Sequence, residues 1–243
     1  MFVCGITAAG RKPGQNEDAF LIASEIITTG DAAYECKPPF VLAVADGVSG
    51  EESGEVASAT ALSVLSSVKI TPKTDPKKIF LDIHKFLKMQ GNIKNSPNMQ
   101  TTLCAAFISE GKLTLCNVGD SRMFLCRGGK LTQISRDQSL AQLLFEQGQL
   151  TRAQKRVFSH KNVILPALGN VTDDPTPETT EIEISPGDMI LLCTDGFSDY
   201  VKMHEAESIL ALPENLKKRV GKLCDRAYIA GSKDNITVLA AVV

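Results

Sequence analysis

Short apolar runs of strand length recur along almost the whole chain, each closed off by Gly, Asp or Pro. They are Phe20–Ile27, Phe40–Ala45, Leu103–Ile108, Leu113–Val118, Met123–Cys126, Ile182–Ile184, Met189–Cys193 and Ile236–Val243. Most are apolar at every position rather than at alternate ones, the pattern of a sheet covered on both faces. Glu110-Gly111 and Gly128-Gly129 sit between neighbouring runs as hairpin turns, which makes those strands antiparallel. Helical spacing fills the gaps. Asp75-Pro76 offers an N-cap and a proline at the first helical position, and Ile79, Phe80, Ile83, Phe86 and Leu87 then fall on one face, leaving His84 beside Lys85 and Lys88 on the solvated side. A second helix runs from about Pro213 on Leu216, Val220, Leu223 and Ala227 and stops near Gly231. The Ala- and Ser-rich stretch Glu52–Val68 and the short group Leu140, Leu143 and Leu144, ending near Gly148, complete the helical set. Strand and helix do not alternate regularly, so the pattern predicts an α+β layered sandwich rather than a doubly wound parallel sheet.

Composition narrows the class. The 243 residues include 26 Lys and Arg against 28 Asp and Glu, a net charge of −2, and 43% are hydrophobic, so wholesale disorder is excluded and no basic footprint for nucleic acid exists. There is no repeat, low-complexity tract or linker, and the expectation is one domain over residues 1–243. No apolar run is long enough to span a bilayer, and Met1–Ile6 lacks the features of a signal peptide; the expectation is a soluble, cytoplasmic protein with no membrane role. The seven cysteines form no Cys-x-x-Cys pair, and most sit within apolar runs, as reduced, buried thiols do. Three scattered histidines give no zinc spacing.

Nucleophile and nucleotide motifs are absent: there is no Gly-x-Ser-x-Gly, no Gly-x-x-x-x-Gly-Lys-Ser/Thr and no His-Glu-x-x-His. Aspartates instead stand at the ends of apolar runs. Val44-Ala45-Asp46-Gly47 closes one strand, Asn117-Val118-Gly119-Asp120-Ser121 joins two, and Leu192-Cys193-Thr194-Asp195-Gly196 closes another. Asn16-Glu17-Asp18 precedes an early strand and Lys233-Asp234-Asn235 the last one. Any single Asp-Gly reads as an ordinary turn. Five such ends in one chain shift the reading toward a carboxylate cluster, although spacing alone does not show that they converge; such a cluster repels itself unless hard cations such as Mg²⁺ or Mn²⁺ neutralise it.

These segments, with Arg122 after Ser121 and Ile236-Thr237-Val238 after Asn235, resemble the ordered motifs of the metal-dependent protein phosphatases, the protein phosphatase 2C family (PPM type). Met99-Gln100-Thr101-Thr102 and Asn162-Val163-Ile164 through Ala167-Leu168-Gly169 are similar to its intervening motifs, with the compact spacing of bacterial members. The resemblance implies a four-layer αββα sandwich, two antiparallel β-sheets flanked by helix pairs. It implies two Mn²⁺ or Mg²⁺ ions in the cleft: Asp46 bridges them, Asp195 and Asp234 hold the first, and Glu17 with the Gly47 carbonyl holds the second. Asp120, sharing Asp195, would help bind a weaker third ion, and Asp18 would orient the attacking water. Asp46 and Asp18 are therefore the expected catalytic pair. The implied reaction is direct hydrolysis of a phosphomonoester with no phosphoenzyme. The implied partners are a phosphorylated protein substrate and a cognate serine/threonine kinase, with the protein a monomer. The polar segment Glu146 to Phe158 matches the family's flap, where protein substrate would be selected, and His160 just beyond it reads as a surface loop residue.

Three positions depart from the family pattern. Where many members carry an Arg that grips the substrate phosphate, this chain has Pro13, which makes no bidentate contact. Arg11 or Lys12 is the expected replacement. Val48 stands where eukaryotic members have a His proposed as general acid, as it is also missing from bacterial members, and Ser49 stands where bacterial members often have Gly, a change expected to do nothing. Loss of the Arg raises an alternative, a catalytically weak pseudophosphatase that binds a phosphoprotein or kinase; a small-phosphoester hydrolase is a third reading. The phosphate grip has its own test: the Arg11→Ala/Lys12→Ala double variant raises KM for a phosphopeptide by about tenfold, the worth of one hydrogen bond to a charged group. A wild-type KM removes both residues from the site.

Overall fold

Strands that are apolar on both sides need cover on both sides, and two sheets packed face to face with helices outside provide it. The computed structural model describes residues 1–10, 15–48, 53–71, 73–93, 99–160 and 163–243. Among these residues, β1 (Phe2–Ala8), β4 (Gly30–Glu35), β8 (Arg122–Arg127), β9 (Lys130–Gln133), β11 (Met189–Cys193) and β12 (Ile236–Val242) form one antiparallel sheet in the order β4-β1-β12-β11-β8-β9. The other, in the order β10-β7-β6-β5-β2-β3, contains β2 (Asp18–Ile22), β3 (Glu25–Ile27), β5 (Phe40–Asp46), β6 (Leu103–Ser109), β7 (Lys112–Val118) and β10 (Glu178–Glu183). The expected turns at Glu110-Gly111 and Gly128-Gly129 join β6 to β7 and β8 to β9.

Alternation sorts each strand between three apolar layers. On β2 and β5, Phe20, Ile22, Leu42 and Val44 face the other sheet and meet Val3, Met123, Ile190, Leu192 and Leu239. Their neighbours Ala19, Leu21, Ala43 and Ala45 face outward onto α1 (Gly54–Ser66) and α2 (Pro76–Ile93). On the far side, Cys4, Leu191, Val238 and Ala240 pack under α7 (Leu216–Ile229), with α5 (Asp195–Ser198) and α6 (Met203–Leu210) completing that layer. Small residues Ala57 and Ala61 let α1 lie close against the sheet, as its composition implied. All seven cysteines are buried and unpaired.

The structure also corrects several expectations. The run Phe20–Ile27 is two strands, because Ala23 turns the chain through the left-handed region at φ 55° and β3 folds back on β2. Strands β1 and β4 and helices α4 (Arg152–Val157), α5 and α6 were not anticipated, and β9 only as the partner that the Gly128-Gly129 turn requires. The pattern of β4 is one of exposure, since it lies at a sheet edge and of its residues only Ala32 is partly buried. Strand β10 begins at Glu178, ahead of the apolar Ile182, for the same reason. His84 is the clearest reversal: it is buried at 3% exposure rather than solvated. A loop distant in sequence covers that face of α2. The Gly169 N–H donates to His84 Nδ1 at 3.1 Å, which leaves Nε2–H to donate to Asp174 Oδ1 at 3.1 Å.

Burial, offset in part by Asp174, lowers the His84 pKa below its usual value near 6.5, and the Gly169 bond occupies the nitrogen a second proton would need. A depressed histidine supports the fold above its ordinary pKa and withdraws that support as acid forces the proton on. His84→Leu therefore costs about 1–3 kcal/mol near neutral pH, and its gap to wild type narrows below about pH 6.5. Denaturant unfolding of both proteins across that range checks this; a pH-independent gap rules it out.

Candidate metal centre

The inward-facing row of each strand is apolar until it reaches one end of the inter-sheet layer, where it turns polar. Continuing that alternation by one step gives Thr7 on β1, Asp18 on β2, Asp46 on β5, Asn117 on β7 and Thr237 on β12. It also gives Thr102, Ser121 and Thr194 in the loops beside β6, β8 and β11. Asp18 and Asp46 stand directly opposite each other in the β2–β5 register, so their side chains share one face.

Hydrogen bonds fix each acidic position from its backbone. The Glu17 N–H donates to Asn235 Oδ1 at 2.9 Å, and its carbonyl accepts from Gly47 N–H at 3.1 Å and Ser58 Oγ at 2.6 Å. Its carboxylate abuts Gly54 at the start of α1, where the helix dipole favours negative charge. The Asp46 N–H donates to Thr102 Oγ1, and its carbonyl accepts from Thr101 Oγ1 at 2.9 Å and Thr102 N–H at 2.8 Å. Thr102 Oγ1 in turn bonds Ser121 Oγ at 2.9 Å, tying the Asp46 strand to the loop that carries Asp120. Asp195 heads α5, and Asp234 Oδ1 accepts from Asn235 N–H at 3.0 Å.

The carboxylates of both sheets converge closely enough to act on one another. Burial, and then the charges of Asp18, Asp195, Asp120 and Asp234, hold the Asp46 pKa well above the carboxylate range. Burial first, with Asp195 and Asp234 adding to it, pushes Asp18 up to about 7 against the hydroxyls of Thr237 and Thr194. Burial and Asp195 raise Asp120, while Arg122 pulls it down. Among the described residues no three His, Cys, Asp or Glu side chains close on one point, so the acids share one end of the layer without forming a closed cage.

Arg122 is a residue that the sequence placed in a motif without giving it work. Its guanidinium forks onto Asp137 through Nε and Nη2, both at 2.9 Å, and also donates to the Ser198 carbonyl at 3.1 Å and Asp199 Oδ1 at 3.3 Å. Burial pushes the Asp137 carboxyl up, but Arg122 and Lys155 outweigh it and hold the pKa below its usual value. Lys155 Nζ reaches Asp137 Oδ2 at 3.2 Å and also bonds Gln142. Lys155 lies on α4, inside the expected flap Glu146–Phe158 and after α3 (Leu140–Glu146), so this network joins the flap to the turn that follows Asp195. His160 is exposed on the surface beside Phe158. Arg11, Lys12, Pro13, Ser49 and Asn162 lie outside the described residues.

The donors suit hard divalent cations: the acidic side chains and the backbone carbonyl at Gly47 offer oxygen alone. Two further observations favour that fit. Asp18 is 1% exposed, and its Oδ1 is buried with no hydrogen-bond partner among the described residues. A Cβ at Gly47 would overlap the Gly54 backbone, and one at Gly196 the Asn235 carbonyl, so the loops bearing the acids are pressed together.

Comparison with known proteins points the same way. The family model described as protein phosphatase 2C matches residues 16–226. The chain is 32% identical over 213 residues to the serine/threonine phosphatase stp of Listeria innocua, spanning 84% of each. Among solved structures, the serine/threonine phosphatase PstP/Ppp of Mycobacterium tuberculosis superimposes with a TM-score of 0.83 at 29% identity, over 100% of this chain and 99% of that one. The PstP catalytic domain in complex with two manganese ions does so at 0.79 and 29%, over 100% of both.

A carboxylate whose pKa is raised in the folded state adds stability at low pH and loses it as pH rises through the raised value. In chelator, the melting temperature should therefore fall between about pH 4 and 7, the span opened by Asp18. Asp46→Asn should raise it near neutral pH by about 2–4 °C for each kcal/mol of repulsion relieved. An Asp46→Asn variant that melts lower than wild type in chelator contradicts the mutual repulsion.

Proposed function

The chain belongs to the protein phosphatase 2C family, and we propose that Glu17, Asp46, Gly47, Asp195 and Asp234 hold the two divalent ions its activity requires. It is a metal-dependent serine/threonine phosphoprotein phosphatase. The observation that carries the residue assignment is the convergence of Asp18, Asp46, Asp120, Asp195 and Asp234, from strand ends of both sheets, on the polar end of the inter-sheet layer. When bound, the ions supply charge neutralisation, orientation of the phosphoryl oxygens and a more acidic water.

The chain's own residues supply the frame. Asp46 faces both sheets' acids and is the candidate bridge, its backbone clamped by Thr101 and Thr102. Asp18 Oδ1, free of protein partners among the described residues, is the acceptor placed to orient the attacking water. The Gly47 carbonyl is available as a donor because no side chain can occupy its position. Asp120 beside Asp195 is the candidate for a third ion. Manganese is the favoured metal, because the PstP domain described above is a manganese complex; magnesium is the alternative. The same reading takes residues 1–243 as one catalytic domain, a monomer opposing a serine/threonine kinase in the cytoplasm. No helix among the described residues is long and apolar enough to cross a membrane. No observation favours the non-catalytic binding module raised by Pro13.

The test is hydrolysis of p-nitrophenyl phosphate and of a phosphothreonine peptide with Mn²⁺, with Mg²⁺ and with chelator. Turnover should require metal and should drop by more than about 100-fold in Asp46→Asn and Asp234→Asn, beyond the cost of losing an outer-shell partner. Metal-independent turnover, or variants as active as wild type, rejects the assignment.

A further inference from the structure

Asp18 belongs to β2, in one sheet, but its carboxylate is held from the other. Oδ2 accepts from Thr194 Oγ1 at 2.8 Å and from Thr237 Oγ1 at 2.7 Å, both on the opposing sheet's side of the cleft. The remaining bonds assign every hydrogen in the group. Thr194 Oγ1 accepts the Thr237 N–H at 3.1 Å, so its single hydrogen is free to point at Asp18. Thr237 spends its own hydrogen on Asp18, so in the 2.7 Å contact with Thr7 it must accept, and Thr7 donates. Thr7 Oγ1 then accepts from Asn16 Nδ2 at 2.8 Å. The Asn16 amide has one possible orientation, because its Nδ2 also donates to the Thr28 carbonyl at 2.9 Å, which can only accept.

The chain Asn16–Thr7–Thr237–Asp18 thus starts at an amide N–H, which gives up no proton. It orients and does not conduct. Both donors end on Oδ2, and Oδ1 is left buried with no hydrogen-bond partner among the described residues. We infer that Thr194 and Thr237, with Thr237 set in turn by Thr7 and Asn16, are positioning residues that lock the Asp18 carboxylate and leave Oδ1 as the oxygen that would receive a water held by the ions. The grip rests on the phosphatase reading of the cleft and adds to it a role for four polar residues that ligate nothing. It also gives the placing of those residues a reason. Thr194 directly precedes Asp195, Thr237 lies three residues after Asp234, and Asn16 directly precedes Glu17, so three of the segments that carry candidate ligands also carry part of the grip.

The experiment compares wild type with Thr194→Val, Thr237→Val and Thr237→Ser in the full chain. It measures kcat and KM for p-nitrophenyl phosphate, the Mn²⁺ dissociation constant by calorimetry with Mn²⁺ alone, and the melting temperature. The isosteric valines should lower kcat by about 10–100-fold and weaken Mn²⁺ by a similar factor, with KM within about twofold, the behaviour of outer-shell partners. Thr237→Ser, which keeps the hydroxyl, should recover most of both. Valine variants within about twofold of wild type in kcat and Mn²⁺ affinity overturn the inference. So does a serine variant as impaired as the valine, or a loss that follows the melting temperature alone. If Thr237→Val does not fold, Thr194→Val carries the same comparison from the other donor. A wild type that binds Mn²⁺ but hydrolyses nothing refutes the phosphatase reading instead, and the Mn²⁺ affinities of the variants then decide the grip by themselves.

Discussion

Like charges crowded at the buried end of an apolar layer are the constraint from which the rest of this structure follows. Two sheets packed face to face bury almost everything between them, yet five aspartates reach that layer from both sides. Burial first, and the charges of their neighbours after it, lift Asp18, Asp46 and Asp120 above the ordinary carboxylate range. Such an arrangement persists only where the backbone leaves the acids no escape. The hydrogen bonds at Glu17, Asp46 and Asn235, and the close packing at Gly47 and Gly196, serve that purpose.

Two polar systems flank the acids and do different jobs. On one side the hydroxyls of Thr194, Thr237 and Thr7 span the sheets and orient Asp18. On the other, the Arg122 guanidinium pulls the Asp120 pKa down against burial and the neighbouring acids, and it is itself held by Asp137 and Asp199. A buried pair of this kind adds little net stability, because desolvation offsets the attraction; it does fix geometry. Its extension through Lys155 connects the segment expected to meet protein substrate with the turn that begins at Asp195.

Much of this was legible along the chain. The fully apolar runs marked the covered strands, the Gly-containing turns marked the hairpins, and the helical stripes of α2 and α7 marked faces that do lie on sheets. The acids were legible because each sits where an apolar run starts or stops. Edge strands β4 and β10 were hidden or clipped because an uncovered strand has no apolar pattern to show. His84 was misplaced because what buries it is a loop some 85 positions away in the chain. Thr194, Thr237 and Arg122 were visible only as letters in motifs, since a hydroxyl or guanidinium reveals its task through partners from other strands.

The sequence by itself determined the layer class, and the motifs it shares with the family marked the candidate ligands. Those depend on local alternation and on side-chain type, which the order of residues records directly. Tertiary structure alone decided that Asp18 faces Asp46, that threonines of the opposite sheet grip one oxygen of Asp18, and that Arg122 holds the turn after Asp195. Each of these is a contact between segments far apart in the chain, and only the register of strands and the packing of one sheet on another brings such segments within hydrogen-bond reach.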